Sequence, residues 1–200
     1  MSAPAAACVA GLVLAAGAGR RYGRPKALVE GWLADRVHAL AGAGCVPRLV
    51  VLGAGADEAR GLVPPGTEVL VAADWEGGMG ASLRAGLRAL ADTPAAAVVV
   101  TLVDTPGLTS AAVRRLVALG GPTALAQATY DGVPGHPVLL GRDHWAGAGR
   151  SAEGDRGARA YLAAHAPVRV ECGDVGDGVD VDVAPGAVAG PERGGACTGS

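Results

Sequence analysis

Val9-Ala10-Gly11-Leu12-Val13-Leu14-Ala15 is an unbroken apolar run that ends in glycine-rich sequence, as expected of a parallel strand covered on both faces. The first nineteen residues carry no charged side chain. They lack the basic start of a secretory signal, so the run is read as a buried strand. Leu33, Val37 and Leu40 recur at helical spacing around charged Asp35 and Arg36, which predicts a helix within residues 28–43 that Gly44 terminates. Strands are expected at residues 48–53 and 68–72, separated by a short helix at 56–61 and the Pro64-Pro65-Gly66 turn. Leu83, Leu87 and Leu90 form one stripe opposite Arg84 and Arg88, so residues 82–91 read as an amphipathic helix with Ser82 as N-cap. Residues 96–103 are the most strand-like in the chain and end at Asp104-Thr105-Pro106.

Further along, a helix is expected at 110–119, a strand at 124–130 and an apolar stretch at 137–140. A helix at 156–165, a short strand at 168–171 and an alternating strand at 179–183 follow. Strands alternating with helices predict an α/β fold, a mostly parallel sheet with helices on both faces. From Ala184 onward Gly and Pro prevail. The expectation is one domain over residues 1–183 and a disordered tail over 184–200.

Composition narrows the functions available. Hydrophobic residues are 50% and charged ones 18% of 200 residues, which excludes a disordered chain and suits one sizeable core. Aromatics are 3% and Phe is absent, so Val, Leu and Ala must fill that core. A net charge of -2 without a basic block argues against nucleic acid or an anionic membrane as partner. No further uncharged stretch reaches the roughly 20 residues that cross a bilayer. Cys8, Cys45, Cys172 and Cys197 form no C-x-x-C pair, so buried free thiols and a reducing, cytoplasmic compartment are expected.

The strongest chemical signal is the stretch from Leu14 to Lys26, LAAGAGRRYGRPK, directly after the first strand. Glycines let backbone N–H groups approach an anion, and ligands of open α/β sheets sit beyond the carboxyl ends of the strands. Two familiar phosphate cradles fail on spacing. The dinucleotide fingerprint needs Gly where Tyr22 stands, and the P-loop needs Gly-Lys-Ser/Thr where Pro25-Lys26-Ala27 stands. What remains is a loop completed by cations, with Arg21 able to fork onto two phosphate oxygens and Lys26 supplying a mobile point charge. Lys26 is the single lysine of the chain.

That stretch resembles the L-A-A-G-x-G-x-R-x-G-x-P-K signature of the MobA-like nucleotidyltransferases. Four later blocks resemble the same family in order: Trp75 to Leu83, Leu102 to Pro106, Tyr130 to Gly132 with Gly135 to Pro137, and Gly154 to Arg159. The blocks are most similar to its molybdenum cofactor cytidylyltransferase branch. The resemblance implies a three-layer Rossmann-like, glycosyltransferase-A-like fold and CMP transfer from CTP to the phosphate of molybdopterin. It also implies Mg²⁺ as cofactor and a molybdoenzyme client. Related readings are transfer from GTP or to a sugar phosphate, and a non-catalytic module that delivers cofactor.

The same resemblance places the triphosphate on Leu14, Ala15, Ala16, Gly17 and Gly19, with Arg21 and Lys26 as its cations. Ala16 stands where the family's guanylyltransferases usually have Gly, which favours a cytidylyl donor. Asp104 would bind the metal bridging the phosphates, as a hard oxygen ligand at a strand end; the alternative is an Asp-Thr-Pro turn that caps the next helix. Asp180 and Asp182 lie two apart, so on a strand both face one way. Asp182 is the candidate second ligand, although the family's trailing Thr-Pro is absent here. Gly78, Gly80 and Ser82 are assigned to the nucleotide, or else form a linker and cap. His136, Asp155, Arg156 and Arg159 lie toward the acceptor, or serve loop packing and helix-start ion pairs. Trp75 and Trp145 are stacking faces or core residues, core packing being favoured. The connection from Ala27 to Trp32 is shorter than is usual in the family, a departure that bears on the following strand.

Overall fold

The computed structural model describes residues 7–183, so the expected tail and Cys197 lie outside the described residues. Among the described residues seven strands form one sheet: β1 (Val9–Ala15), β2 (Arg48–Leu52), β3 (Glu68–Val71), β4 (Ala97–Leu102), β5 (Leu125–Tyr130), β6 (Val133–Gly141) and β7 (Val168–Glu171). Their order is β3-β2-β1-β4-β6-β5-β7. β6 alone runs against its neighbours β4 and β5; every other pairing is parallel. Six α-helices cover the sheet: α1 (Trp32–Gly42), α2 (Ala56–Arg60), α3 (Met79–Leu90), α4 (Ser110–Val117), α5 (Arg142–Ser151) and α6 (Arg159–His165). This is the expected Rossmann-like α/β architecture. β2 pairs in register along β1 from Gly11↔Arg48 to Ala15↔Leu52, so the short connection after Lys26 leaves the second strand intact.

The unbroken apolar run of β1 follows from its central place. Val9, Val13 and Ala15 pack on one face with Leu33, Val37 and Leu40 of α1 and Val113 and Leu116 of α4. Ala10, Leu12 and Leu14 pack on the other with Leu83, Leu87 and Leu90 of α3. Burying each such leucine contributes about 1.5–3 kcal/mol. Cys45 and Cys172 are buried free thiols, and burial pushes the Cys45 thiol up to about 12. Among the described residues no helix is long and apolar enough to cross a membrane.

Several elements depart from the sequence expectation. α1 begins only at Trp32, because a 3-10 turn over Lys26–Leu28 precedes it. α3 begins at Met79 with Gly78 as N-cap, so Ser82 lies inside the helix and caps nothing. The stretch at 137–140 is the buried half of the long strand β6, which follows β5 through a tight Asp131-Gly132 turn with φ of 51° and 80°. Positive φ at both turn residues matches the right-handed twist of the hairpin. α5 was not expected, since its sequence RDHWAGAGRS has no clear apolar stripe. It is anchored by Trp145, 6% exposed, whose indole N–H donates to the Leu140 carbonyl at 2.9 Å. The helix expected at 156–165 divides into a 3-10 turn at Gly154–Arg156 and α6. Residues 179–183 form no strand. They cross the end of the sheet with one backbone bond, Val181 N–H to the Asp104 carbonyl at 2.9 Å, where a strand needs a ladder.

Glu171, the last residue of β7, closes the β5–β6 hairpin. Its carboxylate accepts from Thr129 Oγ1 at 2.8 Å, from the N–H groups of Asp131 and Gly132 at 3.0 and 3.2 Å, and from Gly173 N–H at 2.9 Å. The Gly173 N–H and the Thr129 hydroxyl, with the two turn N–H groups, hold its pKa down at about 2 from 4.5. A depressed carboxylate stabilises the fold above its unfolded pKa, and that contribution is lost as pH falls from about 4.5 toward 2. Glu171→Gln is therefore expected to lower the urea midpoint at pH 7, with the gap from wild type narrowing through that window. A gap of constant size from neutral to acid pH would refute the assignment.

Candidate active site

The sheet reverses its winding between β1 and β4: from β1 the chain proceeds outward through β2 and β3, then returns to place β4 on the other side. A crevice at the carboxyl ends of the strands is expected at such a reversal. Leu14 pairs with Leu102, and Val103 N–H donates to the Leu14 carbonyl at 3.1 Å, so the loops after both strands leave the sheet together. They open into a cleft of about 620 Å³. Leu14, Ala15, Ala16, Gly17 and Gly19 all line it, as do Arg21 and Lys26. Gly19 has a φ of 61°, and a Cβ there would run into the Arg24 carbonyl. The loop then turns back on itself, with Gly23 N–H donating to the Gly19 carbonyl at 2.8 Å.

Three charged segments meet on the floor of the cleft. The Lys26 ammonium donates to Asp104 Oδ2 at 2.6 Å and to Asp182 Oδ1 at 3.1 Å, and Arg21 reaches Asp182 Oδ2 at 3.2 Å. The Lys26 and Asp104 side chains are 14% and 16% exposed, against 50% for Asp182 and 78% for Arg21. The outer pair is thus solvated and weak, and the inner one is shielded. Burial acts to lower the Lys26 pKa, but the hydrogen bonds and charges of Asp104 and Asp182 outweigh it and hold the ammonium above its ordinary value. Asp180 lines the same cleft. Desolvation raises its pKa against the pull of His136, and Asp104 and Asp182 add to the rise.

Asp104 Oδ1 is buried and has no hydrogen-bond partner among the described residues. An orphaned carboxylate oxygen beside a second carboxylate is the donor set that a hard divalent cation takes up with phosphate oxygens. Among the described residues no group of three His, Cys, Asp or Glu side chains forms a closed metal cage.

The far wall comes from the start of α3 and the segment before α6. Gly78 has a φ of 86°, and a Cβ there would lie 2.6 Å from the Gly154 carbonyl carbon and 2.7 Å from Asp155 Oδ1. Gly78, Ser82, Asp155 and Arg159 line the cleft together with Trp75. Gly80, Arg156 and His136 do not. Gly80 is buried against Ala152, where a Cβ would lie 2.7 Å from the carbonyl, so it serves helix packing. Arg156 is exposed on the 3-10 turn. His136 lies on β6 with Nδ1 3.4 Å from the Val100 carbonyl oxygen, and burial lowers its pKa. Sequence reasoning did not single out Arg36, which is 2% exposed and donates to the carbonyls of Thr105 and Pro106. Its place beside the stripe of α1 gave no sign of burial.

Residues 11–169 match the MobA-like NTP transferase domain. The chain is 35% identical over 191 residues to the nicotine blue oxidoreductase of Paenarthrobacter nicotinovorans, covering 88% of this chain and 92% of that one. It is 38% identical over 145 residues to the molybdenum cofactor guanylyltransferase of Rhodobacter capsulatus, covering 70% and 67%. Among solved structures, Rv0371c from Mycobacterium tuberculosis H37Rv superposes with a TM-score of 0.74 at 29% identity, covering 90% and 94% of the two chains. A structure of that protein in complex with manganese superposes with a TM-score of 0.66 at 28% identity, covering 82% and 86%. With the glycine loop, the lone lysine and the strand-end aspartate gathered in one cleft, the chain belongs to the MobA-like NTP transferase family.

Proposed function

We propose that this protein transfers CMP from CTP to the phosphate of a molybdopterin-type acceptor, with release of pyrophosphate. The observation that carries the reading is the shielded Lys26–Asp104 pair at the end of the glycine loop, with Asp104 Oδ1 unpartnered among the described residues. An oxygen of the acceptor phosphate attacks the α-phosphorus, the bond from that phosphorus to the bridging oxygen breaks, and pyrophosphate leaves with the electron pair. The nucleophile is already anionic, so no proton has to move and no general base is required. The loop N–H groups and Arg21 bind the triphosphate, and Lys26 turns its charge from the carboxylates to the phosphates. Asp104, with Asp182 as second oxygen ligand, would hold Mg²⁺, which supplies positive charge to the phosphate oxygens when bound. Asp155 and Arg159, across the cleft, face the acceptor.

CTP rests on Ala16, the one residue of evidence for the base. GTP is the alternative supported by the Rhodobacter capsulatus relative, named as a guanylyltransferase. A second reading comes from the relative named as an oxidoreductase, in which the same cleft holds a nucleotide-bearing reductant. Pyrophosphate release across the four nucleoside triphosphates, with and without molybdopterin and with Mg²⁺ or Mn²⁺, is expected to be greatest with CTP. Preference for GTP or a sugar phosphate would replace the substrates. Oxidation of NADH or NADPH coupled to reduction of an added dye, without pyrophosphate release, would establish the second reading, and CTP binding without turnover a delivery module.

Lys26→Ala is expected to lower the single-turnover rate by on the order of 10²-fold or more, as for loss of other charge contacts made in the transition state. Asp104→Asn should abolish the response of the rate to divalent metal. A wild-type rate in either variant would remove the substituted residue from the chemistry.

A further inference from the structure

Arg36 is the one charged residue that is buried among the described residues; the other buried polar side chains are Ser82, Thr101, Thr105 and Thr129. Burying a guanidinium is costly unless it is paired, and burial lowers its pKa, with Asp35 opposing. Among the described residues no carboxylate forms a salt bridge with it. Two of its donors go to backbone carbonyls, Thr105 through Nη1 and Pro106 through Nη2 at 3.1 Å, while Nε is buried with no partner among the described residues. Those are the two residues directly after Asp104.

The neighbouring buried polar groups serve the same turn. Thr105 Oγ1 donates to the Leu102 carbonyl at 2.9 Å and lies 3.3 Å from Thr101 Oγ1. Val181 N–H grips the Asp104 carbonyl from above at 2.9 Å. Three of the five buried polar side chains thus converge beneath a single carboxylate. Arg36 also sits on α1, the helix that follows the turn bearing Lys26, so one segment grips both the side chain of Asp104 and the backbone behind it.

We propose that Arg36 is a positioning residue, a buried fork on the Thr105 and Pro106 carbonyls that aims the Asp104 carboxylate at the metal and at Lys26. A planar fork bridges two carbonyls, whereas an ammonium is a point donor. Displacing a reacting group by about 1 Å costs on the order of 10²-fold in rate, so a relaxed turn is felt in catalysis before it is felt in folding. The inference rests on the reading above only in taking Asp104 as a ligand to divalent metal.

The test compares wild type, Arg36→Met, Arg36→Lys and Arg114→Met. Arg114 donates to the Gly42 carbonyl at 2.9 Å and ties α4 to α1 without touching the Asp104 turn, so its variant reports structural loss alone. Mn²⁺ affinity is read by electron paramagnetic resonance with CTP or GTP present, alongside thermal midpoint, kcat and KM. Arg36→Met is expected to weaken Mn²⁺ binding and lower kcat about tenfold or more, with nucleotide KM within about threefold of wild type. Arg36→Lys should fall between, and Arg114→Met should lower the midpoint while binding Mn²⁺ as wild type does. Wild-type Mn²⁺ affinity in folded Arg36→Lys and Arg36→Met, or equal loss in Arg114→Met, overturns the positioning role and leaves the reading of the site standing. Failure of wild type to bind Mn²⁺ with any nucleotide overturns that reading itself.

Discussion

The contact between the Lys26 ammonium and Asp104 is the anchor of this structure. An exposed pair such as Arg21–Asp182 contributes about 0–1 kcal/mol, whereas Lys26 and Asp104 meet at 2.6 Å with most of both side chains shielded from water. Without the ammonium, Asp104, Asp180 and Asp182 would crowd the end of the sheet with only the exposed Arg21 to offset their charge. Without the carboxylates, Lys26 would face burial with no partner. Together with the Lys26–Asp182 bond, the contact joins the segment after β1, the turn after β4 and the segment after β7, three parts of the chain with no local reason to meet. In the proposed reaction the same balance is kept by exchange, as the carboxylates trade the ammonium for a divalent cation and the cations trade carboxylates for phosphates.

That contact is possible because of the sheet beneath it. Covering β1 on both faces places its carboxyl end in the middle of the molecule, and pairing it with β4 sets two loops side by side at the reversal of the winding. The apolar layers supply rigidity. Among the described residues, three of the five buried polar side chains, Arg36, Thr101 and Thr105, lie under Asp104 and hold the turn. A mostly Val, Leu and Ala core with few aromatics can carry such a site because close packing depends on volume and shape more than on residue type.

Sequence reading reached what is local or periodic. The run from Val9 to Ala15, the stripes of α1 and α3 and the strand before Asp104 were legible because burial on a strand or helix imposes a short repeat on residue type. The glycine loop and the lone lysine were legible for a similar reason, since an anion cradle needs small residues and cations at fixed spacing. α5 was not, because the companions of Trp145 at helical spacing, Ala148 and Ala152, are too small to mark an apolar stripe. The Asp131-Gly132 turn has hairpin chemistry, but the strand after it opens with exposed Val133 and Pro134 and half-buried Gly135, which lack the apolar run that marks a strand. Residues 179–183 alternate like a strand, yet their partners are the charges of Lys26 and Arg21 and a single carbonyl of Asp104, none of which is encoded near them.

The amino-acid order thus dictated the elements and the chemistry of the first loop, because both depend on near neighbours along the chain. Which carboxylates complete that loop, that Gly80 packs a helix while Gly78 borders the cleft, and that Arg36 lies beneath Asp104 were decided only on folding. Each of these depends on the approach of segments remote in sequence, and long-range approach is set by how the layers pack.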